Sequence, residues 1–217
     1  MSANAVALAD AFRRVLAQTE AAQYELDRLD ALGGDGDHGV TMVLGWRTVV
    51  GSMDEAHGAP GPLLTAAAQA FADVGGSAGP LWGTALLRAG RALGFRSVVG
   101  LNDIARAATA AVHGMQQRGR CHEGDRTVVD AMGPAARALE RGRVDGATLA
   151  DSLVAAAAAA EEGTRRTESL QPRHGRAALA PDAARGNRDA GAVAAAVFWR
   201  AIADAGRRGN SVVRERA

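Results

Sequence analysis

Glycine and proline interrupt this chain at intervals that suit helices, and between the interruptions apolar residues recur at helical spacing. The pattern predicts helices near 4–25, 39–53, 61–74, 81–93, 102–118, 126–141, 147–167 and 190–207. The first places Val6, Leu8, Phe12, Val15 and Leu16 close to one amphipathic face. No period-two alternation runs long enough to predict a sheet, and no repeat of fixed length is visible. Hydrophobic residues make up 47% of the chain but aromatics only 4%, alanine fills most apolar positions, and isoleucine occurs only at Ile104 and Ile202. That stock favours an all-α protein whose helices approach closely, and Ala155 to Ala160 reads as packed helix. Ser2 and Asn102 are expected to cap helices, and Asp145-Gly146 to turn the chain. At 217 residues, one domain over 1–217 is expected. Its charged end, Arg207 to Ala217, is expected to fray from about 208.

The chemistry can be narrowed by what is missing. With 25 basic and 24 acidic residues the formal charge is +1, so no global field argues for nucleic acid or a membrane surface. All the basic residues are arginine, which excludes a P-loop lysine, a Schiff-base lysine and a kinase strand lysine. Cys121 is the only cysteine, so an intramolecular disulfide and a cysteine-rich zinc site are excluded. The first residues lack the character of a signal peptide and no run of 18 apolar residues occurs, so a cytoplasmic protein is expected.

Four segments between helices carry chemical content. In Asp30-Ala31-Leu32-Gly33-Gly34-Asp35-Gly36-Asp37, three carboxylates crowd a glycine-rich turn that holds no Lys or Arg and that His38-Gly39 closes. Such crowding calls for a counter-ion, and carboxylate oxygens suit Mg²⁺, Ca²⁺ or Mn²⁺, so a metal site is preferred to a plain surface turn. It is not the twelve-residue calcium loop, whose required Glu would fall at Trp46. The helix starting near Gly39 should offer unpaired N–H groups and a positive dipole end to a phosphate. The second segment, Val74-Gly75-Gly76-Ser77-Ala78-Gly79-Pro80-Leu81-Trp82-Gly83-Thr84, is another helix start open to an anion, or a simple connection. In the third, Arg118 to Thr127, Asp125 is expected to cap a helix, and Cys121 with His122 is rejected as a catalytic dyad because adjacent side chains seldom face one another. The fourth is an irregular stretch, 168–189, broken by Pro172, Gly175, Pro181 and Gly186. There Arg176 could neutralise a phosphate and Asp189 could cap a helix or bind a sugar hydroxyl.

In this order the segments resemble the ADP-binding L subunit of dihydroxyacetone kinases, a domain type also found at the C-terminus of the ATP-dependent enzymes. Leu29-Asp30 with Gly34-Asp35-Gly36-Asp37-His38-Gly39 is similar to the family's metal signature, and Gly75 to Thr84 to its phosphate loop. Gly124-Asp125-Arg126-Thr127 resembles a third block, and Gly175-Arg176-Ala177 with Asp189-Ala190-Gly191-Ala192 a fourth.

The resemblance implies a barrel of eight antiparallel amphipathic helices with the nucleotide at one end. It implies that Asp30, Asp35 and Asp37 hold two Mg²⁺ ions, and that ADP or ATP contacts His38, Gly39, Val40, Thr41, Ser77, Ala78, Gly119, Val128, Arg176, Asp189, Ala190 and Gly191. The chain would supply no nucleophile. It would transfer a phosphoryl group to dihydroxyacetone, or a related keto-sugar, held on a separate K-type subunit. A phosphotransferase-system subunit could rephosphorylate the bound ADP, and a homodimer is expected. A nucleotide domain of a fatty-acid-kinase-like system and a non-catalytic ADP-binding regulator are the alternatives. The chain departs from the family in three places, one of them Asp189-Ala190-Gly191 where Asp-Pro-Gly is usual. Ser77-Ala78 stands where Ala-Ser is usual, and Ala178-Leu179-Ala180-Pro181-Asp182-Ala183 replaces the usual lid sequence.

Overall fold

The structure is a computed structural model that describes residues 2–54, 58–179 and 181–214. Eight helices account for most of them: α1 (Ala5–Asp30), α2 (His38–Asp54), α3 (Pro60–Ala72), α4 (Ala78–Leu93), α5 (Leu101–Gly119), α6 (Val129–Val144), α7 (Leu149–Arg166) and α8 (Ala190–Arg214). Among the described residues the only β pairing is an isolated bridge between Ala3 and Val99. The all-α expectation holds. Each helix packs on its neighbours in chain order and α8 returns to pack on α1, which closes a ring. Short connections make successive helices antiparallel up to α7, and the Asp189 N–H donating to Thr167 Oγ1 brings the start of α8 to the end of α7 across the longer last connection. The α1–α2, α3–α4, α5–α6 and α7–α8 connections therefore emerge at one end of the ring, and the remaining connections at the other.

Trp46 on α2 is fully buried at the centre of the ring. Its ring lies 4.8 Å from Phe71, 5.1 Å from Trp82 and 5.6 Å from both Phe12 and Phe198, centroid to centroid. Six of the eight aromatics thus form one cluster, in the tilted, edge-on and offset geometries that rings prefer, while Tyr24 and Phe95 are exposed. Gly45 permits it: a Cβ there would fall 2.4 Å from Phe71 Cζ. Below the cluster, towards the end away from the four connections, alanines such as Ala85, Ala107 and Ala111 leave an apolar cavity of about 630 Å³.

Several helix ends differ from the sequence expectation. The first helix runs to Asp30 instead of 25, because no breaker precedes Gly33 and Leu26 and Leu29 keep the buried register. The fourth starts at Ala78, ahead of Pro80, whose missing N–H is harmless in a first turn. The sixth starts at Val129 instead of 126, since Arg126 adopts a left-handed φ of +61°. The last runs to Arg214, past the expected helix end at 207. Residues 215–217 lie outside the described ones. The caps move as well. Asn4, not Ser2, accepts the Ala7 N–H at 3.0 Å. Asn102 falls inside α5, where the Asp103 carboxylate reaches back to the Gly100 N–H at 3.1 Å. Asp145 ends α6 and Gly146, at φ +69°, makes the expected turn before Thr148 caps α7.

Candidate functional site

All four sequence segments fall in the connections at one end of the ring. The α1–α2 connection is scaffolded almost entirely by itself. Asp30 closes α1, its backbone carbonyl accepts the Gly34 N–H at 2.6 Å, and its carboxylate accepts the Gly36 N–H at 2.9 Å. Gly34 has to be glycine, because a Cβ would stand 2.6 Å from the Asp30 carboxylate. The result brings oxygens of Asp30, Asp35 and Asp37 within 4.8 Å of one another, with Asp30 half-buried and the other two exposed. Burial, reinforced by the charges of Asp35 and Asp30, pushes the Asp37 carboxyl above the usual range. A hydrogen bond from Arg176 holds Asp35 below it. Three carboxylates converging with two side chains open to solvent fit a hard cation that keeps positions for water or phosphate oxygens.

Asp27 was not visible as a site residue while the helix was ended at 25. It sits one turn before Asp30 in unbroken register, which is the signal that could have found it. Its carboxylate accepts the N–H groups of Gly39 at 2.7 Å and Val40 at 3.2 Å, and the Thr41 N–H goes to the Asp37 carbonyl at 2.9 Å. The start of α2 is therefore capped from α1, which corrects the expectation of unpaired N–H groups there. In that stretch the His38 ring and the Thr41 hydroxyl remain the groups suited to a ligand. His38 Nε2 is shut off from solvent with no hydrogen-bond partner, and burial lowers the pKa of the ring.

The glycine-rich loop joins α3 to α4. Gly75 and Gly76 take φ of +83° and +61°, both exposed, conformations that side chains rarely adopt. Ser77 precedes α4 without a side-chain cap, and Ala78 is buried in the first turn. This helix start has no side chain competing for its N–H groups, unlike that of α2. Gly119 ends α5 against this element, where a Cβ would lie 3.1 Å from Leu81 Cδ2. Next to it Cys121 is buried, and burial raises its thiol pKa, while the His122 side chain is exposed. The pair forms no dyad, as expected.

The stretch before α8 folds over the acid turn as a lid. It contains two short 3₁₀ turns, Thr167–Ser169 and Arg176–Leu179. Arg176 forms an ion pair with Asp35, and Ala177 packs on Gly33. Asp189 caps α8, accepting the Ala192 N–H at 2.8 Å, while its own N–H donates to Thr167 Oγ1 at 2.9 Å. Burial pushes its carboxyl up to about 6, although the residue as a whole keeps partial exposure. Gly191 abuts the Val128 backbone, so Val128, Asp189, Ala190 and Gly191 share one corner.

Asp125 does not cap α6, contrary to expectation. Its carboxylate accepts the His122 N–H at 2.8 Å and lies 3.1 Å from His174 Nε2. Asp130 binds the turn instead, accepting Gly124 and Thr127 N–H groups at 2.6 and 2.7 Å. The reason is the left-handed turn at Arg126, which delays the helix. The lid contacts of Arg126 had no counterpart in the sequence reading. The acid turn and the lid are thus joined through Arg176 with Asp35 and Ala177 with Gly33, and the start of α8 joins the lid through Asp189 and Thr167. Ser77, Ala78 and Gly119 form a second group on the same end.

Residues 33–204 match the DAK2 domain family. D-erythrulose kinase of Mycolicibacterium smegmatis is 35% identical over 207 residues, covering 93% of this chain and 36% of that protein. The ADP-binding subunit DhaL of PEP-dependent dihydroxyacetone kinase 1 from Listeria innocua is 30% identical over 181 residues, covering 82% of this chain and 84% of that subunit. The crystal structure of the dihydroxyacetone kinase from C. freundii in complex with AMP-PNP and Mg²⁺ superposes with a TM-score of 0.72 at 28% identity, covering 93% of this chain and 34% of that one. The chain spans about a third of the length of the erythrulose kinases it matches.

Proposed function

The chain belongs to the DAK2 domain family, and from that premise we propose that it is the nucleotide- and Mg²⁺-binding unit of a kinase that phosphorylates a small ketose. The observation that carries the reading is the convergence of Asp30, Asp35 and Asp37 within 4.8 Å on a turn whose glycines leave room for nothing bulkier. Asp30, Asp35 and Asp37 would hold two Mg²⁺ ions, which when bound neutralise charge on the nucleotide phosphates. Arg176 has the reach to add a guanidinium to the same region, in a chain that has no lysine for that task. The uncapped start of α4 after Gly75-Gly76-Ser77 would take phosphate oxygens, and the corner formed by Val128, Asp189 and Gly191 would take the rest of the nucleotide. Positioning and charge neutralisation are the main demands of phosphoryl transfer, so the chain needs no nucleophile of its own.

The acceptor would sit on a separate K-type substrate module, either a partner subunit or the remainder of a longer protein. Relatives named as erythrulose kinases and as a dihydroxyacetone kinase subunit keep both four-carbon and three-carbon ketoses in view. Titrating ADP into the purified chain with and without Mg²⁺ tests the reading, and native mass spectrometry counts the metal ions. Metal-dependent ADP binding with two Mg²⁺ per chain is expected. Binding indifferent to Mg²⁺, or no binding, would overturn it.

A further inference from the structure

Arg126 is 5% exposed and occupies a left-handed φ of +61°. Such a backbone conformation persists in a side-chain-bearing residue only where its surroundings hold it. Here the guanidinium supplies the hold. Its Nε–H donates to the Thr167 carbonyl at 3.1 Å, and its Nη2 donates to the Ala184 carbonyl at 2.7 Å and the Asn187 carbonyl at 2.8 Å. Asp125 grips the same segment from beside it. Its backbone carbonyl accepts the Arg173 N–H at 3.2 Å, and its carboxylate meets the Arg173 guanidinium at 3.4 Å and His174 Nε2 at 3.1 Å. Two consecutive residues of the α5–α6 connection thus engage the lid at its beginning, middle and end.

We propose that Arg126, supported by Asp125, is a positioning residue that clamps the lid over the acid turn, so that Arg176 and Asp189 are presented to a bound nucleotide. This rests on the phosphoryl-transfer reading above. The route is continuous. Arg126 holds the Thr167 carbonyl, the Thr167 hydroxyl accepts the Asp189 N–H, and Asp189 starts α8. On the other limb, Ala184 and Ala177 both lie against Gly33 of the acid turn, which sets the height of Arg176 above Asp35. Only a planar fork with several donors spans three carbonyls, and a lysine ammonium would reach fewer of them. The Arg126 charge also opposes the rise in the Asp189 pKa.

The test compares the full chain with Arg126→Met and Arg126→Lys in three measurements: ADP affinity with Mg²⁺ present, Mn²⁺ affinity without nucleotide, and amide exchange. In Arg126→Met the ADP affinity is expected to fall roughly ten- to a hundredfold, the range seen when an outer partner of a binding group is lost. Mn²⁺ affinity should stay within about twofold, because the acid turn is scaffolded by its own backbone. Exchange should quicken at Gly186 and Asn187, which donate to Glu168 and Ala184, and stay unchanged at Gly36. Arg126→Lys should fall between wild type and Arg126→Met. If Arg126→Met shows no cooperative unfolding, Arg126→Lys and Asp125→Asn decide on the same readouts, each with a smaller loss of ADP affinity. A folded Arg126→Met that binds ADP as wild type does, or that loses Mn²⁺ in equal measure, overturns the clamp alone. A wild-type chain that binds no ADP with Mg²⁺ overturns the underlying reading and the clamp with it.

Discussion

The acid turn and the lid meet at the ion pair between Asp35 and Arg176, yet they are assembled differently. Residues 30–37 hold their shape through bonds to Asp30, from the same short stretch of chain. The lid on either side of residue 180 is held from Asp125 and from Arg126, whose three acceptors lie 41, 58 and 61 positions away in sequence. One region carries its own instructions, and the other borrows them from a distant connection. The consequence is a division of labour. A site that must crowd three negative charges is built locally, where neighbouring residues cannot drift apart. The segment that folds over it is tied at a few points, an arrangement in which local opening costs less than global unfolding.

The strongest way to break the comparison is to remove charge from the turn. Asp35→Ala combined with Asp37→Ala should lower metal-dependent ADP affinity by roughly a hundredfold or more, since even outer partners of a metal cost ten- to a hundredfold. Both side chains are exposed, so the thermal unfolding temperature without metal should not drop; calorimetry that showed a large drop would mean the turn supports the fold and not a ligand.

Next in size are two changes at helix starts. Asp27→Ala removes the carboxylate that caps α2 from α1 and should cost about 1 kcal/mol, read by chemical denaturation. At the lid's base, Asp189 has a folded-state pKa of about 6 against an ordinary value of 3.8. A raised carboxyl pKa means that the folded state binds the proton more tightly, so its contribution is fully present below about pH 4 and is lost as pH rises through 6. Ligand-free wild type should therefore lose stability on the order of 1 kcal/mol over that window relative to Asp189→Asn, which keeps a capping oxygen. Parallel melts from pH 4 to 7 check it, and equal slopes would refute it. The smallest effect sharpens the contrast within the α5–α6 connection. His122→Ala should change stability by less than about 0.5 kcal/mol, because its side chain is 79% exposed, although Arg126 four residues on is buried and clamps the lid.

How much was legible follows the same division. The helices were readable as segments because Gly and Pro punctuate the chain, although the starts of α4 and α6 shifted by three residues, and the acid turn was readable because its three carboxylates are sequence neighbours. Asp27 was missed because one extra turn of α1 had no composition signal beyond continued register. Asp125 was assigned a cap because an Asp before an apolar run usually is one, and the left-handed backbone at Arg126 overrode that preference. Arg126 could not be read as a clamp at all. Its partners are backbone carbonyls, which every residue possesses and no sequence pattern distinguishes.

By itself the sequence determined a helical chain without sheet, the absence of lysine and disulfide chemistry, and the carboxylate turn, because each depends on residues close together in the chain or on composition. The tertiary structure alone decided that four separate connections share one end of a closed ring, that α1 caps α2, and that a buried arginine organises the lid. Those outcomes depend on long-range packing and on backbone acceptors, neither of which is carried by the identity of any single residue.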